Sequence, residues 1–196
     1  GLVYFIMESK RTVTDAEAQQ VATALLNAQG PGTVHFHVGQ VKASVDEKPF
    51  DPHYKLLAKA GIVKLGKPTV NGISVTLTPA GKEILDACGA KEEKNPDGTE
   101  AYTVPLAQRK LVKIAKIQML NPGRANMEYA WKWEPTKLGD DFDVNSPEMQ
   151  SLNNWDRITL IDKYGASYYK DGKLKTNTIA LVWDDKKSVW RPYQGD

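Results

Sequence analysis

The chain has 196 residues, 41% hydrophobic and 26% charged, values that exclude wholesale disorder and a fibrous repeat and leave room for two modest cores. Lys and Arg total 26 against 24 Asp and Glu, and a formal charge of +2 gives no field strong enough to draw in nucleic acid or anionic lipid by itself. The single cysteine, Cys88, excludes an intramolecular disulfide and is expected to be a small buried residue near a helix end.

Gly1–Met7 is apolar and is followed by the charged Glu8-Ser-Lys-Arg11. Such a run falls short of the roughly 20 residues that span a bilayer. Two readings therefore stand side by side: the stump of a removed signal or membrane anchor, or a first strand or helix turn on the core. Thr14-Asp-Ala-Glu17 is a capping box, and it predicts a helix with Ala18, Val21, Ala22, Leu25 and Leu26 on one face, closed by Gly30-Pro-Gly32. Thr33–Val38 then alternates, placing Val34, Phe36 and Val38 on one face of a strand and His35 and His37 on the other. Gln40–Val45 is expected to form a second short strand.

Asp51-Pro52 has the form of a cap followed by a first-turn proline, opening a helix with Tyr54, Leu57 and Ala58 inward and Gly61 at its end. Val63–Leu65 and Ile73–Leu77 read as strands joined through a loop carrying Pro68 and Asn71-Gly72. Thr78-Pro79 starts the next helix, anchored by Ile84 and Leu85 before Gly89. Lys91–Glu100 is charged, contains Pro and Gly and offers nothing apolar to bury, so it is expected to be a linker. Leu111–Leu120 and Met127–Trp133 predict a long hairpin turned at Asn121-Pro-Gly-Arg124, although the first arm also fits a short amphipathic helix. Met127, Tyr129, Trp131 and Trp133 fall on one face of the second arm. Ser146-Pro-Glu148 opens a helix expected to carry Met149, Leu152 and Trp155. Hairpins close the chain: a strand through Tyr168, a turn at Asp171-Gly172, a strand over Thr178–Trp183, and a turn into Val189–Arg191.

Leu-Leu-Ala-Lys-Ala-Gly-Ile-Val at 56–63 and Val-Thr-Leu-Thr-Pro-Ala-Gly at 75–81 resemble the recognition-helix end, wing and following helix of winged-helix domains such as those of bacterial transcriptional regulators. The resemblance implies a winged-helix-like shape over about residues 14–89. As a DNA reader such a shape would use Lys55, Lys59, Lys64 and Lys67. The sequence departs from the pattern where base reading is decided. The segment before the candidate recognition helix is strand-like, and that helix carries no Arg, Asn or Gln placed for bidentate base contacts. A shape reused for protein or ligand contact follows.

His35-Phe-His37 has metal-like spacing, with His53, Asp46, Glu47 and Asp51 as the donors nearest in sequence. A zinc site needs three or four ligands and only two are placed, so no metal is expected. Asp141-Phe-Asp-Val-Asn145 opens like a calcium loop, but Ser146 stands at the glycine position and Leu152 at the twelfth, which rules the motif out. No nucleophile elbow, phosphate-binding loop or dinucleotide fingerprint is present, so no catalytic residue and no cofactor is assigned.

The expected fold is α+β in two domains: winged-helix-like over 1–90, a linker over 91–100, and a curved antiparallel sheet with one main helix over 101–196. The expected function is a non-catalytic binding or interaction module for a protein or small-molecule partner, with Tyr129, Trp131 and Trp133 as its contact face. It belongs to a bacterial cell envelope if Gly1–Met7 is an anchor stump. The alternative is a winged-helix DNA-binding regulator whose C-terminal domain senses a ligand or dimerises, and an enzyme with an acidic C-terminal pocket ranks third.

Overall fold

Side-chain oxygens start most of the helices. The Thr14 hydroxyl accepts from the Glu17 amide and the Glu17 carboxylate accepts from the Thr14 amide, so the capping box closes as expected and opens α1 (Asp15–Gln29). The computed structural model describes residues 12–45, 47–165 and 172–195; the expectations for Gly1–Met7 and for a strand through Tyr168 lie outside the described residues. After α1 come β1 (Gly32–Val41), α2 (Pro52–Lys59), β2 (Val63–Leu65), β3 (Ile73–Leu77), α3 (Pro79–Cys88) and β4 (Lys91–Lys94). They are followed by β5 (Glu100–Asn121), β6 (Arg124–Pro135), α4 (Lys137–Phe142), α5 (Pro147–Gln150), α6 (Asn154–Tyr164), β7 (Lys175–Asp184) and β8 (Val189–Pro192). The class is mixed α+β with a large antiparallel sheet.

Contacts divide the chain between Gly30 and Pro31, Gln108 and Arg109, Lys132 and Trp133, and Gly172 and Lys173 into two compact units, each assembled from separated stretches of sequence. In the β1 unit the strand order is β2-β3-β1-β5, with β4 also on β5. β1 is one strand rather than two: Gly32–Val38 pairs with Glu100–Ala107 of β5, and Gly39–Val41 pairs with Ile73–Val75 of β3. Gly39, at φ 107°, sits where the partner changes. Val34 and Phe36 are fully buried and Val38 nearly so, which leaves His35 and His37 on the opposite face, as the alternation requires. Tyr54, Leu56 and Leu57 of α2, Leu85 of α3 and Leu160 of α6 complete this core.

Lys91–Glu100, expected as a linker, is instead a hairpin: β4 pairs Lys91 with Thr103 and Lys94 with Glu100. All four β4 side chains are exposed and charged, a composition that keeps a sheet edge from recruiting other strands. Its turn is tied by the Asp97 carboxylate, which accepts from the Thr99 amide and hydroxyl and is thereby held below the usual carboxylate range. The Ser146 helix is also shorter than expected. Asn153 accepts from the Asp156 amide and starts a separate helix, α6, on which Trp155 is 80% exposed rather than inward.

The β1 unit uses one device twice. Thr78 donates its hydroxyl to the Gly61 carbonyl and its amide to the Ile62 carbonyl, and accepts from the Gly81 amide. Thr136 likewise donates to the Pro105 and Leu106 carbonyls and accepts from the Gly139 amide. In each case the first helical turn lies directly on a backbone carbonyl, that of Ile62 just before β2 and that of Leu106 within β5. A Cβ on Gly81 would stand 2.2 Å from the Ile62 oxygen, and one on Gly139 1.9 Å from the Leu106 oxygen. Only glycine permits that approach.

The α1 unit has the order β5-β6-β7-β8. Ala18, Ala22 and Leu26 bury one stripe of α1, and Ala125, Met127, Tyr129 and Trp131 alternate inward on β6, with Leu181 and Trp190 from β7 and β8. The first arm of the hairpin is a strand; its helical alternative does not form. No described helix is long and apolar enough to cross a membrane.

Candidate functional site

The histidine face of β1 floors a polar cleft of about 390 Å³ in the β1 unit, walled by Glu47, Asp51, His53, Lys163 and Tyr164 with His35 and Thr33. Its size falls at the small end of the roughly 300–1,000 Å³ typical of ligand pockets. Strand alternation puts His35 and His37 on one side, with their rings 5.3 Å apart and edge-on. His35 pairs across the ladder with Thr103, and its Nδ1 hydrogen-bonds the Thr103 hydroxyl at 3.0 Å. The loop after β1 returns Glu47 to the strand, braced by the Ser44 amide on the Glu47 carbonyl and the Glu47 amide on the Ser44 hydroxyl.

Glu47 is buried, and its two carboxylate oxygens do different things. Oε1 accepts the hydroxyl of Tyr54, which α2 projects into the core. Oε2 lies 3.7 Å from His37 Nε2. The same Tyr54 oxygen accepts the His37 amide at 2.9 Å. β3 accompanies β1 only over Gly39–Val41, so at His37 a phenol from the neighbouring helix takes the strand amide. Burial and the Glu47 hydrogen bond push the Tyr54 phenol well above its ordinary range, so it stays a donor. One ring nitrogen from each of His35 and His37 and one Glu47 oxygen lie within 4.8 Å of one another. Sequence placed the two histidines; Glu47 was only one of three carboxylates in reach, and the loop closure that selects it is not a local signal.

His53 sits beside this group on the first turn of α2, 4% exposed and stacked at 4.5 Å on Tyr54. Neither of its ring nitrogens has a hydrogen-bond partner. Burial foremost, with the charge of Lys163 and the proximity of His35 added, lowers its pKa to about 4, so the ring is neutral at neutral pH. Asp51, expected to cap α2, makes no capping hydrogen bond with its side chain and lines the cleft instead.

The other residues singled out by sequence lie elsewhere. Tyr129 and Trp131 are 2% and 5% exposed in the α1 unit, where Asn177 donates to the Tyr129 hydroxyl and the Arg109 guanidinium lies 4.9 Å from the Trp131 ring. Their rings are used in packing and present no open face. Trp133 belongs to the β1 unit and packs, partly buried, on its core. Lys59, Lys64 and Lys67 are exposed, whereas Lys55 donates to Asp156 of α6 at 2.8 Å. At Asp141–Asn145 the oxygens serve the chain itself: the Asp143 carboxylate accepts the Asn145 amide and the Asp141 carbonyl accepts the Ser146 hydroxyl.

Compared with known proteins, the chain matches no protein-family model, and no curated protein and no solved structure is significantly similar to it.

Proposed function

We propose that the chain is a binding module whose ligand seat is the polar cleft on the histidine face of β1. The observation that carries this reading is His53, a buried ring, 4% exposed, with both nitrogens unpartnered in the lining of a polar cleft. Leaving such a group unsatisfied costs about 1–3 kcal/mol. A ligand that enters the cleft and reaches the ring would relieve that cost. In this reading α2, β2, β3 and α3 serve as scaffold for the loop that carries Glu47. Less supports the alternative of a DNA reader, because Lys55 uses its charge on the buried Asp156.

The test follows the ring signals of the three histidines by NMR while inorganic phosphate, acetate and zinc(II) are titrated separately into the chain. At least one of these probes is expected to move the His35 and His53 signals together and saturably. If none does, the cleft is not a ligand seat.

A further inference from the structure

Resting on the cleft as the ligand seat, we propose that its ligand is a divalent transition metal ion, with zinc the best-fitting, held by His35, His37 and Glu47. Two imidazoles and one carboxylate form a borderline N/O donor set of the kind that suits zinc. Three features of the geometry separate this set from a chance cluster of polar side chains.

The first is spacing. A tetrahedral ion with ligands at about 2.0–2.1 Å sets its donor atoms roughly 3.4 Å apart. The His37–Glu47 edge is 3.7 Å, and the edges made by His35 are no longer than 4.8 Å. The largest adjustment falls on His35, the exposed member of the set.

The second is orientation. A histidine that binds a metal through one nitrogen is normally held by a hydrogen bond from the other, and a ligating carboxylate is held through its second oxygen. Thr103 engages His35 Nδ1, which leaves Nε2 with the lone pair when Nδ1 carries the proton. Tyr54 engages Glu47 Oε1, which leaves Oε2 on the His37 side. The same Tyr54 oxygen accepts the His37 backbone amide, so one phenol holds the Glu47 carboxylate and the strand position from which His37 projects. Outer contacts of a metal site are thus in place for His35 and for Glu47.

The third is access. His35 and Glu47 both line the cleft, together with His53 and Lys163, so an ion held by them would keep a coordination position open to the cleft. A water molecule or a small anion fits that position. A three-ligand site with an open position is built for exchangeable binding rather than for a closed structural role.

Isothermal titration of zinc(II) into the full chain, stripped beforehand with a chelator, tests this directly. One saturable equivalent is expected, weakened at least about tenfold in His35→Ala and in Glu47→Gln. Because His35 is exposed, His35→Ala should melt at the wild-type temperature without metal and lose only the zinc-induced rise. If His35→Ala retains full zinc affinity, the ion binds elsewhere and the proposal is overturned. If zinc does not bind while phosphate or acetate still moves the His35 and His53 signals, the metal is overturned and the cleft stands. Failure of every probe removes both.

Discussion

Tyr54 and Glu47 are joined by a buried hydrogen bond that ties the first turn of α2 to the loop returning from β1. Replacing Tyr54 with Phe removes the donor to Glu47 and the acceptor of the His37 amide at once. The ring and its packing on Phe36 remain. Buried groups left without partners cost about 1–3 kcal/mol, so thermal or urea unfolding should show a loss of that order. In the presence of zinc the same variant should bind about tenfold or more weakly, since the outer contact of the Glu47 carboxylate has gone. Wild-type stability in Tyr54→Phe would mean that the hydroxyl contributes nothing to the loop.

His53 makes stability depend on pH in a definite direction. Its pKa is lowered from an ordinary 6.5 to about 4 in the folded chain, so the unfolded chain takes up a proton first as the solution is acidified. The stability due to the neutral ring is complete above about pH 6.5, declines as pH falls toward 4, and changes no further below that. The full effect is roughly 3 kcal/mol, at 1.4 kcal/mol per pH unit. His53→Leu carries no proton, so denaturant unfolding from pH 7 to pH 4 should show a shallower loss in the variant than in wild type. Parallel curves would contradict the assignment.

Gly81 and Gly139 should each resist alanine. Helix propensity alone favours alanine by about 1 kcal/mol. At both positions the added Cβ would meet a backbone carbonyl, so a net loss of about 1–3 kcal/mol is expected from forced backbone displacement. An unchanged melting temperature in Gly81→Ala would show that α3 can lift away from Ile62 at no cost.

Much of this fold was legible because its signals are local. A capping box at Thr14, alternation over Thr33–Val38 and the cap-proline pair Thr78-Pro79 each fix structure within a few residues, and each element is present. Charge misled at Lys91–Lys94, where four polar residues form an edge strand whose stability comes from its partner β5 and not from burial. Periodicity misled at Trp155. Asn153 restarts the helix there and turns the indole outward. The aromatic pattern of β6 holds for Met127, Tyr129 and Trp131, which are buried in the core of the α1 unit, while Trp133 packs on the core of the β1 unit.

The candidate site was half legible. His35 and His37 follow from period two, a backbone property that needs no tertiary information. Glu47 enters only through a loop closure held by Ser44 and by a phenol seven residues further on, and His53 becomes significant only once α2 buries it. Nothing in the spacing of these residues distinguishes Glu47 from Asp51 as the third donor.

X-ray absorption at the zinc edge, on the chain loaded with one equivalent of zinc(II), tests the metal site most directly. Two imidazole nitrogens, one carboxylate oxygen and one further light atom at about 2.0–2.1 Å are expected, with the outer-shell scattering that imidazole rings produce. In a His35→Ala, His37→Ala double variant that imidazole scattering should disappear. A shell of oxygen atoms alone in the wild type, or imidazole scattering that survives in the double variant, would contradict the assignment of His35, His37 and Glu47 as the ligands.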